Sequence, residues 1–513
     1  MLSYLSFLST QTWTLLLLFL GLFLVYGYWP YGVFKKLGIP GPKPVLFFGN
    51  MLNYRKGFHY FDLECFRAYG RMWGIFEGRQ PILCIMDTDL IKTVLVKECY
   101  SYFTNRRTFG LDGELHDSVF TAKDEDWRRI RSVLSPSFTS GRLKEMFGIM
   151  KKHSHTLVNS MKKDADLGRP SDTKEYFGAY SMDVVTSAAF SVDIDSLSNP
   201  KDPFVFYIKK MVKIDFLSPH FLIAGFFPFM APILEKMGFT FVPPSVTDFF
   251  FAVMKNIRSE KQGNSDTKRV DFLQLMIDSQ TPKKDDNGIG GESYKGLNDH
   301  EILSQSMLFI LAGYETSSTT LDFLFYNLAT NPDALKQLHD EIDEVFPDTA
   351  EVQYEALMQM EYLDCVINET LRLYPPAARI DRICKKTVDV GGVIIPKGTA
   401  VMVPNFVLQR DPELWTDPER FKPERFSKEN KESIDPYSYM PFGLGPRNCL
   451  GMRFALVSMK LAIVELLQRF TISTCAETEI PLELETVGFM APKRPIKLQL
   501  AARSPVAQLN PRG

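Results

Sequence analysis

Along most of the chain apolar residues recur every three to four positions, the spacing of one helix face, and strict alternation is confined to two short regions. Alternation with turn glycines predicts strands at Arg79 to Met86, and again at Thr387 to Pro396 with Thr399 to Val403. The longest helical pattern runs from Asn298 to about Thr330 and is closed by Asn331-Pro332. Asn298 followed three residues later by Glu301 predicts a capping-box start. At 1.5 Å per residue this helix would be on the order of 48 Å long, enough to cross a whole domain. Shorter patterns cover Leu363 to Tyr374, stopped by Pro375-Pro376, and Arg453 to Leu467. Residues 259–298, rich in Lys, Asp, Gly, Ser and Asn, read as an exposed connection broken by a helical piece at Asp271 to Ile277. No repeat of fixed period occurs. The prediction is a mainly α protein with small β-sheets (α+β), organised as one catalytic-size domain over residues 51–503, with 504–513 a flexible tail.

The N-terminus departs from this pattern. No charged side chain precedes Lys35, and Trp13 to Trp29 is almost wholly apolar, at the short edge of the ~17–25 residues a spanning helix needs. A cleaved signal peptide would carry basic residues before the run and a small-residue cleavage site after it, and neither is present. Aromatic residues at both ends and the following Lys35-Lys36 pair favour a retained single-pass anchor over residues 1–34, with the body on the cytoplasmic side. Residues 35–50 include Gly38-Ile-Pro-Gly-Pro-Lys-Pro44, which cannot be helical and reads as a stiff hinge.

Composition narrows the function. The 513 residues are 45% hydrophobic and 13% aromatic, including forty-one phenylalanines, which suggests apolar or lipid-like ligands. Net charge is only −2 and no basic arm is present, so nothing points to nucleic acid. The seven cysteines (65, 84, 99, 365, 384, 449, 475) are odd in number, scattered and never spaced Cys-x-x-Cys, which argues against a disulfide framework or a cysteine zinc site and for a reducing compartment.

One of these cysteines has a distinctive setting. In Phe442-Gly-Leu-Gly-Pro-Arg-Asn-Cys-Leu-Gly451, glycines that permit close backbone approach flank Cys449, and Arg447 lies two residues before it. A helical pattern begins directly afterwards, so unpaired N–H groups and the positive helix end favour a thiolate that faces a metal. A second segment, Ala312-Gly-Tyr-Glu-Thr316, lies in the long helix, whose only charge from Ile302 to Leu321 is Glu315. Gly313 weakens the helix and Thr316 can bond back one turn, so a local opening of the ladder is expected. Glu369-Thr-Leu-Arg372 places opposite charges at i and i+3, by itself an ordinary helix pair. Trp127-Arg-Arg-Ile-Arg131 sets Trp127 and Arg131 one turn apart, by itself a solvated basic face.

Taken together and in this order, these motifs resemble the haem-thiolate monooxygenases, the cytochromes P450, and further stretches such as Phe177 to Asp183, Phe103 to Arg107 and Leu134 to Ser140 resemble the 3A-type microsomal members. The resemblance spans roughly residues 25–500. It implies haem b with Cys449 as the axial ligand of the iron, and Phe442, Arg447 and Gly451 in the ligand loop. It implies haem contacts from Arg106, Trp127, Arg131, Ala312 and Arg382, with guanidinium groups on the propionates. It gives Thr316 the role of steadying dioxygen and Glu315 that of helping a water chain deliver protons. Glu369, Arg372 and Arg425, the last in Pro423-Glu-Arg-Phe426, would form a structural network on the haem side. Phe109, Phe120, Phe216, Phe221, Leu311, Ala377 and Ile380 would line the substrate pocket, where Phe120 and Pro376-Ala377-Ala378 depart from the usual drug-oxidising pattern.

The implied activity is insertion of one oxygen atom from O2 into bulky lipophilic substrates such as xenobiotics or steroids, at the endoplasmic reticulum membrane. Electrons would come from NADPH through a flavoprotein reductase, with cytochrome b5 a second candidate partner. Arg128, Arg129 and Arg453 would offer the reductase a basic patch. Two alternatives stay open on the sequence: an isomerase of lipid peroxides that needs no reductase, and a haem carrier or sensor without catalysis.

Overall fold

The computed structural model describes residues 9–108, 110–212, 218–263, 271–280, 296–486 and 488–503. Phe109, Phe216 and the expected tail at 504–513 lie outside these residues.

The central helix, Asp299–Thr330, is the axis of the molecule. Asn298 caps it with both bonds of a capping box: Glu301 N donates to Asn298 Oδ1 over 2.8 Å and Asn298 N donates to Glu301 Oε2 over 2.9 Å. Around it pack the helices Thr173–Phe190, Glu361–Leu373 and Met452–Leu467. The helix Ser140–Asp166 closes the outer side against Thr173–Phe190 and Met452–Leu467. A helix buried on all sides shows no single apolar stripe, and Thr173–Phe190 is of this kind, buried at nearly every residue from Phe177 to Phe190.

The expected opening of the central helix at Gly313 does not occur. The helix is continuous through Ala312–Thr316, while the Thr316 hydroxyl does donate to Ala312 O over 2.6 Å. Gly313 serves packing instead: a Cβ there would come within 2.5 Å of Val185 Cγ2 on the neighbouring helix.

Strands occupy more of the chain than alternation predicts. The main sheet has the order β1-β2-β7-β4, from Met72–Glu77, Gln80–Ile85, Ala400–Val403 and Ile380–Ile383. β2 runs parallel to β7, with Ile82 opposite Ala400, so segments some three hundred residues apart share one ladder. β1 escapes a search for alternation because Trp73, Gly74, Ile75 and Phe76 are all buried. The predicted hairpin is β5–β6, Val388–Val390 with Val393–Ile395, turning through Gly391 and Gly392 at φ +61° and +86°. A third sheet, β3-β9-β8, from Ser171–Asp172, Lys497–Ala502 and Phe470–Thr474, was not expected. Its first strand is two residues long, too short to leave a periodic signal.

The apolar N-terminal run forms a helix, Thr10–Tyr28, capped by Ser9 and continued by short turns to Lys36. Residues Thr10–Lys36 make one stretch long and apolar enough to cross a membrane, and its side chains are largely exposed. Its C-terminal end is fastened to the body. Phe23 meets Phe47 at 4.5 Å between ring centroids, Arg79 Nε donates to Tyr26 O over 2.8 Å, and Tyr26 Oη donates to Phe226 O over 3.3 Å. The Pro/Gly-rich segment beyond is held by Tyr31, whose hydroxyl donates to Val45 O over 2.9 Å and accepts from Gly49 N over 3.1 Å.

Candidate active site

The cysteine loop is shaped by positions only glycine can fill. Gly443 and Gly445 have φ of +74° and +68°, and a Cβ at Gly445 would lie 2.0 Å from Leu95 O. Cys449 N donates to Phe442 O over 2.7 Å and closes the loop. Gly451 is the N-cap of the helix Met452–Leu467, so its N–H and that of Met452 are free of helical partners and favour the Cys449 thiolate. Cys449 is the one exposed cysteine among the described residues, yet burial among protein atoms raises its pKa. Open surface together with desolvation describes a thiol that lines an interior space. The two N–H groups, Arg106 and Arg131 pull the other way, toward the thiolate.

On the central helix Ala312 is exposed and Thr316 half-buried, although Ile310, Tyr314 and Ser317 beside them are buried. Ala312 and Thr316 are one turn apart and share a face, so this stretch also borders an interior space.

Between these elements converge four arginines that form no ion pair among the described residues, with Asp381 exerting a favourable pull on Arg106 and Arg382. Arg447 is buried and spends its donors on carbonyls: Nε to Thr104 O over 2.8 Å, Nη2 to Ala122 O over 2.7 Å and Nη1 to Val119 O over 3.2 Å. Its guanidinium lies 4.2 Å from the Trp127 ring centroid. Arg131 donates to Asn448 O and Oδ1 over 2.8 and 2.7 Å. Arg106 donates to Arg447 O over 3.2 Å and stacks on Phe120, and its Nε has no partner. Arg382, fully buried on β4, donates to Asp381 O from Nη1 but leaves Nε and Nη2 unpartnered. Burial and then Arg106 press Arg382 down to about 10, and burial followed by Arg106 and Arg382 presses Arg447 down to about 9. Desolvated, mutually repelling cations with orphaned donors are costly unless an anion joins them. A flat apolar group carrying two carboxylates and a metal to meet Cys449 fits this site, and haem has that chemistry.

Glu315 does not share the environment of Ala312. Its Oε1 accepts from Lys174 Nζ over 2.7 Å, and the same ammonium donates to Thr319 Oγ1 over 2.7 Å. Nothing in the sequence singles out Lys174, which lies on another helix. Nor does it single out Asp322, completely buried two turns beyond Glu315, whose carboxyl burial raises to about 7.

Glu369, Arg372 and Arg425 are brought together. Arg372 Nε and Nη2 donate to the two Glu369 oxygens over 2.7 and 2.8 Å with both side chains fully buried, and Arg425 Nε donates to Glu369 Oε1 over 3.2 Å. Gln409, which the sequence reading missed, accepts from Met440 N over 3.0 Å while its amide donates to the Leu371 and Arg372 carbonyls over 3.0 Å. Through Gln409 the network reaches the start of the cysteine loop.

Of the described pocket candidates, Leu311 and Ala377 are half-buried, Ile380 is buried on β4 and Phe120 is exposed beneath Arg106. Phe221 belongs to a separate small apolar cluster with Leu111 and Ala224, where it packs on Phe241 at 4.6 Å. Of the basic patch, Arg129 is committed to Glu301, with Nη1 at 3.0 Å from Oε2, and Arg128 pairs with exposed Glu125. Arg453 is exposed.

A cysteine presented at a helix N-terminus, together with four arginines, two of them fully buried, that form no ion pair among the described residues, defines a haem-thiolate protein. The family model for cytochrome P450 matches residues 39–500, and the chain belongs to that family. It is 65% identical over 503 residues to Cytochrome P450 3A27 of Oncorhynchus mykiss, covering 98% of this chain and 97% of that protein. Cytochrome P450 3A40 of Oryzias latipes is 65% identical over 496 residues (97% and 98% covered), and Cytochrome P450 3A12 of Canis lupus familiaris 53% over 495 residues (96% and 97%). The chain is a P450 monooxygenase, an oxidoreductase whose cofactor is haem iron and whose electrons come from a redox partner.

Proposed function

We propose that this monooxygenase is anchored in the endoplasmic reticulum membrane, with its body in the cytoplasm, and oxidises bulky lipophilic molecules of the xenobiotic and steroid kind. The observation that carries this reading is the placement of the aromatic segment Phe226–Phe229 beside the end of the apolar N-terminal helix. Phe227 lies 5.9 Å from Tyr26 in a stacked pair, and Phe229, Ile233 and Met237 are 64%, 49% and 65% exposed. An apolar surface contiguous with a membrane-spanning helix is suited to sit in lipid and to take substrates from it.

When bound, the haem supplies the oxidising chemistry. Cys449 would ligate its iron, and the Gly451 and Met452 N–H groups favour the thiolate this needs. Arg106, Arg131, Arg382 and Arg447, with Trp127, would hold the propionates, and the orphaned nitrogens of Arg382 and Arg106 are donors left to do so. Phe442, Gly451 and Ala312 would contribute surfaces of the site that holds it. The Thr316 hydroxyl donates to Ala312 O and would be able to turn its proton toward the interior space that Ala312 borders. Glu315, held by Lys174, is the single charge from Ile302 to Leu321 and would take part in proton delivery through water, while Leu311, Ala377, Ile380 and Phe120 would exclude water around the substrate.

Electrons come from NADPH through a flavoprotein reductase, with cytochrome b5 as a further donor. A groove of about 510 Å³ lined by Tyr100, Trp127, Arg128, Arg131, Ser132 and Pro446 supports docking on the cysteine side. The decisive measurement is the reduced carbon-monoxide difference spectrum with Cys449→Ser alongside, then NADPH-dependent steroid oxidation in reductase-containing liposomes. A wild-type protein with the thiolate-type Soret band but equal turnover with and without reductase would falsify the electron route.

A further inference from the structure

Away from the haem site, the described residues gather one set of metal-ligating side chains. His116 and Asp117 follow the short turn Gly113–Leu115, and His300 lies in the first turn of the central helix. Asp117 Oδ2 is 2.9 Å from His300 Nδ1 and 3.3 Å from His116 Nε2, and all three ligand atoms lie within 4.8 Å of one another. Ligand atoms bonded to zinc at about 2.0–2.1 Å in a tetrahedron stand roughly 3.3–3.4 Å apart, so two of the separations are close to that spacing and the two imidazoles, within 4.8 Å, would draw together on binding.

The partners of the two imidazoles point the same way. His116 Nδ1 lies 2.8 Å from Gly113 O, an acceptor, which places a proton there and turns Nε2 toward Asp117. His300 donates to carboxylates from both nitrogens, Nε2 to Glu114 Oε2 over 2.7 Å and Nδ1 to Asp117 Oδ2 over 2.9 Å, so a metal would displace the Nδ1 proton while Glu114 keeps the one on Nε2. A carboxylate or carbonyl on the far nitrogen of each histidine is the outer arrangement typical of zinc-binding imidazoles. All four side chains are partly open to solvent, which provides an entry path.

We propose that His116, Asp117 and His300 bind one divalent transition metal of the zinc class, with Glu114 orienting His300 and water completing the coordination. Two imidazoles and one carboxylate select such ions over magnesium or calcium, which demand oxygen ligands.

The site has a mechanical consequence. His300 belongs to the rigid central helix, whereas His116 and Asp117 belong to the loop whose Val119, Phe120 and Ala122 carbonyls accept from Arg447. Gln305 already ties the two, donating to Asp117 O over 2.8 Å and accepting from Val119 N over 2.6 Å. A bound metal adds a bond across the same seam and stiffens the wall that carries Phe120.

The test uses the full-length haem-loaded protein in detergent, stripped with a chelator and titrated with zinc at buffered micromolar concentrations, with bound metal measured by elemental analysis. One zinc per chain beyond the haem iron is expected, unaffected by excess magnesium or calcium. His116→Ala and His300→Ala each lose it while keeping the carbon-monoxide spectrum. Glu114→Gln keeps the stoichiometry with about 10–100-fold weaker binding. Zinc is further expected to slow the substrate-induced Soret shift in the wild type and not in His116→Ala. Absence of zinc from the wild type, or equal zinc in wild type and His116→Ala, overturns the proposal. Because His116 is an exposed loop side chain, that variant keeps the test decisive even if His300→Ala fails to fold.

Discussion

Lys174 Nζ donates to Glu315 Oε1 over 2.7 Å and so joins the helix Thr173–Phe190 to the charge that the central helix carries in its apolar middle. Ser318 and Thr319 share the same ammonium at 3.3 and 2.7 Å, so Glu315 is held by a small network spanning two helices. Both side chains are only partly exposed, at 28% and 21%, which places the pair between a surface ion pair and a buried one.

Lys174→Met is therefore expected to cost about 1–2 kcal/mol of stability and to lower the product formed per NADPH consumed, while the carbon-monoxide spectrum is kept. A double-mutant cycle with Glu315→Gln, read in coupling efficiency, tests this. Strictly additive effects would show that the two residues act separately.

Arg382→Met is expected to have opposite effects on the two forms of the protein. It removes a buried cation with two orphaned nitrogens, so the haem-free chain should unfold at a higher temperature. It also removes a charge-assisted partner for a propionate, so haem should be lost roughly 10–100-fold more readily to a haem acceptor. Unchanged haem loss would separate Arg382 from the propionates.

Asp322 makes a pH-dependent contribution. Burial raises its carboxyl from 3.8 to about 7, against the pull of Lys174 and the Thr173 hydroxyl. The folded protein thus holds this proton more tightly than the unfolded chain, and the associated stability, complete below about pH 4, is lost as pH rises toward 7. The slope is up to about 1.4 kcal/mol per pH unit. Asp322→Asn should gain on the wild type in unfolding temperature between pH 5 and pH 8. A difference that stays flat over that range would assign the effect elsewhere.

Membrane attachment is expected to have two parts. Removing residues 1–28 deletes the apolar helix but leaves exposed Phe229, Ile233 and Met237, so the truncated protein should still float with liposomes in part. Substituting those three residues by serine in the truncated chain should release it. Full release by truncation alone would show that the Phe226–Phe229 region stays out of the lipid.

What the sequence determined by itself is whatever depends on near neighbours. Cys449 between its glycines, the Asn298–Glu301 capping box, the Glu369–Arg372 turn and the apolar run before Lys35 each lie within a few helical turns, where spacing alone dictates geometry. Tertiary structure decided what depends on distant partners. Only the folded chain puts Lys174 on Glu315, Gln409 between Arg372 and Met440, and Arg447 on the carbonyls of Thr104 and Ala122. The same holds for Gly313, whose local propensity argues for a break in the helix, until Val185 approaches so closely that no larger residue fits and packing keeps the helix whole. Local rules see a residue's own backbone, whereas a desolvated charge or a tight helix crossing takes its energy from atoms that sequence separation conceals.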